Sequence, residues 1–413
     1  MYDKLVLPNG LRIVSEPMVN VRSAAVGIFV GVGSRDEKTE ENGAAHFIEH
    51  MLFKGTERHT AQELASVMDS IGGQINAYTT RENTCFYARV LDEHLHTAID
   101  VLADMFKNSR FDENEVMSER SVIQDEIDMY DDTPEDLVIE RLFARVFKGS
   151  LGRPVLGKPS TLAKMSGEKL REFKERHYTP DRIVVSLCGS FEQSHLDAIA
   201  EAFGTIGGHG GKSAPRGEYS PVIITRKRAL EQNHLVLGFP GLTHSDDERY
   251  TLQLMSSILG GGMSSRLFQT VREKHGLCYS VYSFSAAFRD TGMFGIATAL
   301  GRETEPRALG LIMEEIRGLL DNGVSGEELS RAREQVKSSI VMSLESSSSR
   351  MQKLGGGELA LGESPDPGEL IDRYNRVSEN DVLQLARRIL DFDRMSVSAV
   401  GRVGKAEEYQ QLL

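Results

Sequence analysis

His46-Phe47-Ile48-Glu49-His50-Met51-Leu52-Phe53-Lys54-Gly55-Thr56 is the most informative stretch of this 413-residue chain. Its first five residues set two imidazoles and a carboxylate on a run of helical character. On an α-helix, positions i and i+4 share a face, so His46 and His50 can grip one metal ion while Glu49 points beside it. That is the geometry of a zinc hydrolase. Catalytic zinc takes three protein ligands and keeps one position open, where a water is acidified to a pKa of about 7 and a nearby carboxylate can take its proton. The order His-x-x-Glu-His reverses the commoner zinc-protease order. The competing reading is two surface histidines on an amphipathic helix.

A third ligand is available downstream. Residues 113–126, Glu-Asn-Glu-Val-Met-Ser-Glu-Arg-Ser-Val-Ile-Gln-Asp-Glu, read as a helix, with Val116, Ile123 and Ile127 at apolar spacing. Glu119 and Glu126 are two helical turns apart, so both carboxylates project from nearly the same side. One can ligate while the other supports. For any single glutamate in so acidic a helix, a solvated face is the competing reading.

On these two segments the chain resembles the pitrilysin-type metallopeptidases, and within them the branch of the mitochondrial processing peptidase catalytic subunit and its bacterial homologues. The resemblance rests on His46 to Thr56 as quoted and on Glu119-x6-Glu126 at the family's distance. It implies zinc held by His46, His50 and Glu126, with Glu49 as general base. For Glu119 it implies an acid supporting a zinc-bound histidine, a role that fits the need to orient metal ligands from behind. No departure from the motif is visible, which argues against a degenerate, inactive subunit.

Composition narrows the class. The length exceeds one ordinary core and predicts two domains, and a hydrophobic content of 40% is ample for packing. Cys85, Cys188 and Cys278 are odd in number, widely spaced and set in apolar runs, so a disulfide framework is not expected and a reducing compartment is the default. The first ten residues lack an apolar signal or an Arg-rich transit segment, and no run approaches the roughly 18 apolar residues of a membrane span. The expectation is a soluble cytoplasmic protein. A net charge of −13 argues against nucleic acid and leaves room for basic peptides.

An internal repeat supports two domains. Residues 182–189 and 394–401 share Arg, Val, Ser and Gly at the same offsets and read as buried strands near the end of each half. The passage from Leu64 to Tyr78 is echoed from Leu267 to Tyr282, each with Gly at the helix end where a left-handed backbone is needed. Gly204 to Gly217 has the composition of a linker. The expected organisation is a zinc-binding domain over 1–206, a Gly-rich linker over 207–221, and a related domain over 222–413. The segment matching the zinc helix there, Tyr250 to Gly260, contains no histidine, so it can pack but cannot hold zinc.

The second half must then serve otherwise, and Arg272 and Tyr279 at a helix-to-strand junction suggest substrate handling. In the resembling family an Arg and a Tyr at this spacing reach across the domain interface to the substrate and its developing oxyanion, a charge that a phenol and a guanidinium suit. The alternative is an exposed Arg and a packed Tyr. In the first half, Gly72 to Thr80 reads as a turn and an alternating strand. At a sheet edge it would offer unpaired amides and carbonyls to an extended peptide, whereas an interior strand would not. The family resemblance implies substrate binding at Asn76 and Ala77. Beyond Glu126 stand Asp131, Asp132, Glu135, Asp136 and Glu140, and the resemblance implies that Asp136 and Glu140 bind a substrate arginine. A solvated acidic loop is the alternative. Gly260-Gly-Gly262 and Gly355-Gly-Gly357 read as flexible turns.

The sequence thus predicts an α+β protein of two related domains, each a mostly antiparallel sheet with helices packed on one face, enclosing a peptide-binding cleft. The expected function is a zinc endopeptidase of the processing type, with Zn2+ as cofactor and peptides as partners, and with neither nucleic acid nor membrane. The family resemblance implies a homodimer or a heterodimer with a related subunit. A non-catalytic peptide-capture subunit is the alternative, and its mark would be loss of a ligand or of the base.

Overall fold

Strands of period-two alternation build two sheets in the computed structural model, which describes residues 2–211 and 214–412. The first contains β1 (Asp3–Val6), β2 (Arg12–Pro17), β3 (Ser23–Val30), β4 (Gln74–Thr79), β5 (Thr84–Leu91) and β6 (Ile183–Gly189), in the order β1-β2-β6-β3-β5-β4. The second contains β7 (Ile223–Lys227), β8 (Gln232–Pro240), β9 (Cys278–Ala287), β10 (Gly292–Gly301) and β11 (Ser396–Gly401), in the order β7-β11-β8-β10-β9. Without β1 the two orders are the same. In each, the last strand inserts beside the first as the sheet's parallel pair, β2 with β6 and β7 with β11, and all other pairings are antiparallel. The echoed segments 182–189 and 394–401 supply β6 and β11, so the repeat seen in the sequence is a repeat of topology.

The alternation in β3 shows how both faces of the first sheet are used. Val26, Ile28 and Val30 face helices Ala44–Leu52 and Leu95–Asn108, which carry the larger core. Ala25 and Phe29 point the other way, against Met351 and Leu354 of helix Ser347–Leu361. Most helices thus stack on one face, and a single helix covers the other. Gly355-Gly-Gly357 lies within that helix and not in a turn. At Gly355 a Cβ would stand 2.2 Å from the Phe29 ring, so the glycine lets the helix settle on β3. The second sheet is covered in the same way, with Leu142 and Val146 of helix Pro134–Val146 against Val236, Met293 and Val400.

These covering helices break the division drawn from sequence. Each is supplied by the opposite half of the chain: one compact unit holds 1–127, 153–215 and 341–366, the other 128–152, 216–340 and 367–413. An amphipathic pattern shows that a helix has an apolar face but not which sheet that face will meet. The units change over at Pro215 and Arg216, inside the expected linker, of which Lys212 and Ser213 lie outside the described residues. The rest of that stretch is anchored. Tyr219 is buried, and its hydroxyl bonds the Gly238 carbonyl at 2.9 Å and Ser396 Oγ at 2.7 Å.

Both helix-to-strand passages turn on the expected glycines, with φ of +61° at Gly72 and +59° at Gly276, where other residues would be strained. Cys85, Cys188 and Cys278 are free thiols. Among the described residues no helix is long and apolar enough to cross a membrane.

Candidate metal centre

Helix Ala44–Leu52 carries the motif, and its short length makes its anchoring important. Ala44, Ala45, Phe47, Ile48, Met51 and Leu52 are all buried, so the apolar residues between the histidines fix the helix's rotation. Its amino end is held by a residue the sequence did not single out. Glu37, 3% exposed, accepts from the backbone amides of Gly43 and Ala45, both at 2.9 Å, and from Asn42 Nδ2 at 2.8 Å. It satisfies donors that a helix start leaves open. The carboxy end is held by Ser109 Oγ donating to the Met51 carbonyl at 3.0 Å, and by Thr56, whose hydroxyl donates to buried Asp104 at 2.6 Å.

Burial outweighs the three donors on Glu37 and pushes its carboxyl up to about 8. The folded chain therefore holds this proton more tightly than the unfolded chain. Glu37's contribution to stability is full below the ordinary carboxyl range and is lost as pH rises towards about 8. Glu37→Gln, which cannot ionise, should lack this slope. The difference in melting temperature, wild type minus variant, is expected to fall between about pH 5 and pH 8; a difference independent of pH would refute the assignment.

The second ligand-bearing element is helix Glu113–Asp132, longer than the run read from sequence. Arg120 ties it down, donating to the carbonyls of Leu162 at 3.1 Å and Met165 at 2.7 Å. Its Glu126 then meets the histidines. His46 Nε2 and His50 Nε2 are 3.2 Å apart, and Glu126 Oε2 lies 3.6 Å from the first and 3.7 Å from the second. Among the described residues this is the one cluster of three or more His, Cys, Asp or Glu side chains placed to hold a metal ion.

The protonation states suit ligation. Burial, with His50 next in weight, drives His46 down to about 3, so it is a neutral imidazole. His50 Nδ1 stands 2.7 Å from Glu119 Oε1 and donates to it, which leaves the lone pair of His50 on Nε2. His46 Nε2, His50 Nε2 and Glu126 Oε2 thus converge on one point, a donor set that zinc accepts. Burial works against the Glu119 carboxylate, but hydrogen bonds from His50 and Lys54 outweigh it and hold it below the usual range. Lys54 Nζ sits 2.5 Å from Glu119 Oε2, so the motif's own lysine backs the residue behind the ligand.

Glu49 is half-buried beside this cluster. Burial raises its carboxyl, and the Thr79 hydroxyl, donating to Oε2 at 2.5 Å, opposes the rise. Thr79 belongs to β4, the edge strand of the sheet, which also carries Asn76 and Ala77. Asn76 is exposed, and Ala77 packs against the core that includes the metal-bearing helix.

The remaining residues singled out in the sequence fall in the other compact unit. Arg272 lies over the rings of Phe268 and Tyr279, at 4.7 and 4.9 Å, and Tyr279 is 76% exposed on the edge strand β9. The acids after Glu126 are divided. Asp131 pairs with Arg226 at 3.4 Å and Arg228 at 3.8 Å, and Asp132 with Arg228 at 3.5 Å. Asp136 is exposed in the first turn of helix Pro134–Val146, where its charge suits the helix dipole, and Glu140 is half-buried one turn on.

Comparison with known proteins places this geometry. A family model described as insulinase, peptidase family M16, matches residues 12–159, and one described as the peptidase M16 inactive domain matches residues 164–336. The uncharacterized zinc protease YmxG of Bacillus subtilis is 43% identical over 395 residues, 95% of this chain and 97% of its own. An uncharacterized zinc protease of Streptomyces coelicolor is 39% identical over 412 residues, 96% of this chain and 89% of its own. Two solved structures share the fold. A protease from Helicobacter pylori superposes with a TM-score of 0.89 at 20% identity, over 97% of this chain and 99% of that one. A structure described as a peptidase M16 inactive domain, from Pseudomonas fluorescens, gives 0.91 at 19%, over 98% and 99%.

Proposed function

The chain belongs to peptidase family M16, and on that premise we propose that it is a zinc-dependent endopeptidase with Glu49 as general base. The convergence of His46 Nε2, His50 Nε2 and Glu126 Oε2 on one point, with Glu49 alongside, carries this reading. Zinc held there supplies a Lewis acid that brings the pKa of a coordinated water to about 7.

The chain's own groups do the rest. Glu49 Oε2 is engaged by Thr79, so Oε1 is the oxygen that accepts the proton of the attacking water and later returns it to the departing amine. Glu119 holds the His50 ring and its tautomer, and Lys54 holds Glu119. The outer edge of β4 offers backbone donors and acceptors to an extended peptide, which gives affinity with little demand on side chains. Such a mode suits a peptidase that reads extended conformation. A non-catalytic capture subunit would not need all three ligands, the base and their supports kept together.

Metal analysis joined to a fluorogenic-peptide assay tests the proposal. The purified protein is expected to hold about one zinc per chain, and peptide hydrolysis should rise in proportion to zinc content up to that one equivalent. Folded protein that takes up no zinc, or full hydrolysis without it, would overturn the reading.

A further inference from the structure

We propose that Thr79 is a positioning residue for Glu49, setting which carboxylate oxygen faces the reacting water. The inference rests on the peptidase reading above and assigns a role to a residue outside the metal motif. Three observations carry it.

The first is the contact itself. At 2.5 Å, the bond from Thr79 Oγ1 to Glu49 Oε2 has the length of a charge-assisted O–H···O⁻ bond. The proton on Thr79 has another acceptor near it, Thr84 Oγ1 at 3.3 Å, across the register pair Thr79↔Thr84. Thr84 is fully buried and donates its own proton to the Val32 carbonyl at 3.0 Å. It can therefore accept from Thr79 but not donate to it. Thr79 is left as a donor, and the carboxylate is the closer and stronger acceptor.

The second is the way the strand delivers the hydroxyl. Ile75 and Ala77 pack toward the core that contains the metal-bearing helix, and Thr79 follows them at the same period of two. Tyr78 points to the other face, where its hydroxyl donates to Gln352 Oε1 at 2.8 Å. The strand is thus held from both faces beside the residue that meets Glu49. A threonine there has one strongly restricted side-chain torsion, so the direction of its hydroxyl is set by the backbone.

The third is the echo in the other unit. Helix Arg249–Gly260 and β9 occupy the places of helix Ala44–Leu52 and β4 in the repeated topology. Counting from Gly276 as from Gly72, Ser283 stands where Thr79 stands, and it faces Ser256 on the helix. The Ser283 and Ser256 hydroxyls lie 2.8 Å apart, and Ser283 donates to the Ser256 carbonyl at 2.8 Å. The strand-to-helix hydroxyl contact therefore belongs to the fold and persists where no metal ligand exists. Placing a carboxylate at the helix position turns that contact into an orienting bond.

The test compares Thr79→Val, which keeps shape and loses the hydroxyl, with Thr79→Ser, which keeps the hydroxyl, both in the full-length chain. With zinc loaded, Thr79→Val is expected to lower kcat about tenfold, with KM and zinc content close to wild type, and Thr79→Ser to recover kcat to within about twofold. Crystal structures of the same proteins should show the Glu49 carboxylate rotated in Thr79→Val and retained in Thr79→Ser. Equal losses in both variants, or an unrotated carboxylate in Thr79→Val, would overturn the proposal. Should wild type show no zinc-dependent hydrolysis, the peptidase reading fails on its own, and the carboxylate's orientation in the crystals still decides the role of Thr79.

Discussion

Glu49→Gln is expected to retain zinc and fold while its turnover falls by about 10²- to 10⁴-fold. The side-chain amide has the size of the carboxylate, and its oxygen can still accept from the Thr79 hydroxyl, so the helix and strand need not move. His46, His50 and Glu126 are untouched, which predicts an unchanged metal content. What is lost is a group able to take a proton. Burial raises the Glu49 carboxyl, the direction that suits a base. Glu119 has both oxygens committed, one to His50 and one to Lys54. Zinc content, melting temperature and kcat measured on one preparation check the claim, and near-normal turnover at full zinc loading would move the base to another residue.

What the sequence made legible follows from the range of the interactions involved. His46, Glu49 and His50 lie within two helical turns, and helical geometry places them without knowledge of the rest of the fold. Glu119 and Glu126 also share one helix, so their pairing was visible, though the spacing alone did not say which would ligate and which support, an assignment that only the family resemblance implied. The groups that went unseen act across longer separations. Thr79 reaches Glu49 because β4 packs against the metal-bearing helix, and Lys54 reaches Glu119 from the turn that follows that helix. Glu37 is only eight residues before Ala45, yet its role depends on a buried loop conformation that no periodicity reports. The duplication was visible as two echoed strands, whereas the exchange of the covering helices was not. Gly355 shows the same limit: three consecutive glycines read as a turn, but here close packing against Phe29 gives one of them a place inside a helix.

The question the helix spacing left open, which glutamate ligates and which supports, has a direct test in Glu126→Gln against Glu119→Gln. Glu126 Oε2 is nearly equidistant from the two imidazole nitrogens, at 3.6 and 3.7 Å, so its neutral amide counterpart would leave a two-histidine site with a weak third donor. Zinc affinity is expected to fall on the order of 10³-fold or more, and activity with it. Glu119 stands one step behind, on His50 Nδ1. Its replacement by Gln keeps an oxygen to accept from His50 but removes the charge that pairs with Lys54 and strengthens the imidazole as a donor. The expected loss there is roughly 10- to 100-fold in affinity. The two variants should also differ in rescue. Excess zinc should bring Glu119→Gln close to wild-type kcat, because the ligand set is intact once filled, whereas Glu126→Gln should stay impaired even when loaded, since the charge and geometry at the metal have changed. Zinc titrations followed by a competing chelator dye, with kcat measured at saturation, separate these outcomes. The reverse order of affinities would exchange the roles of the two carboxylates and make His50's partner the third ligand.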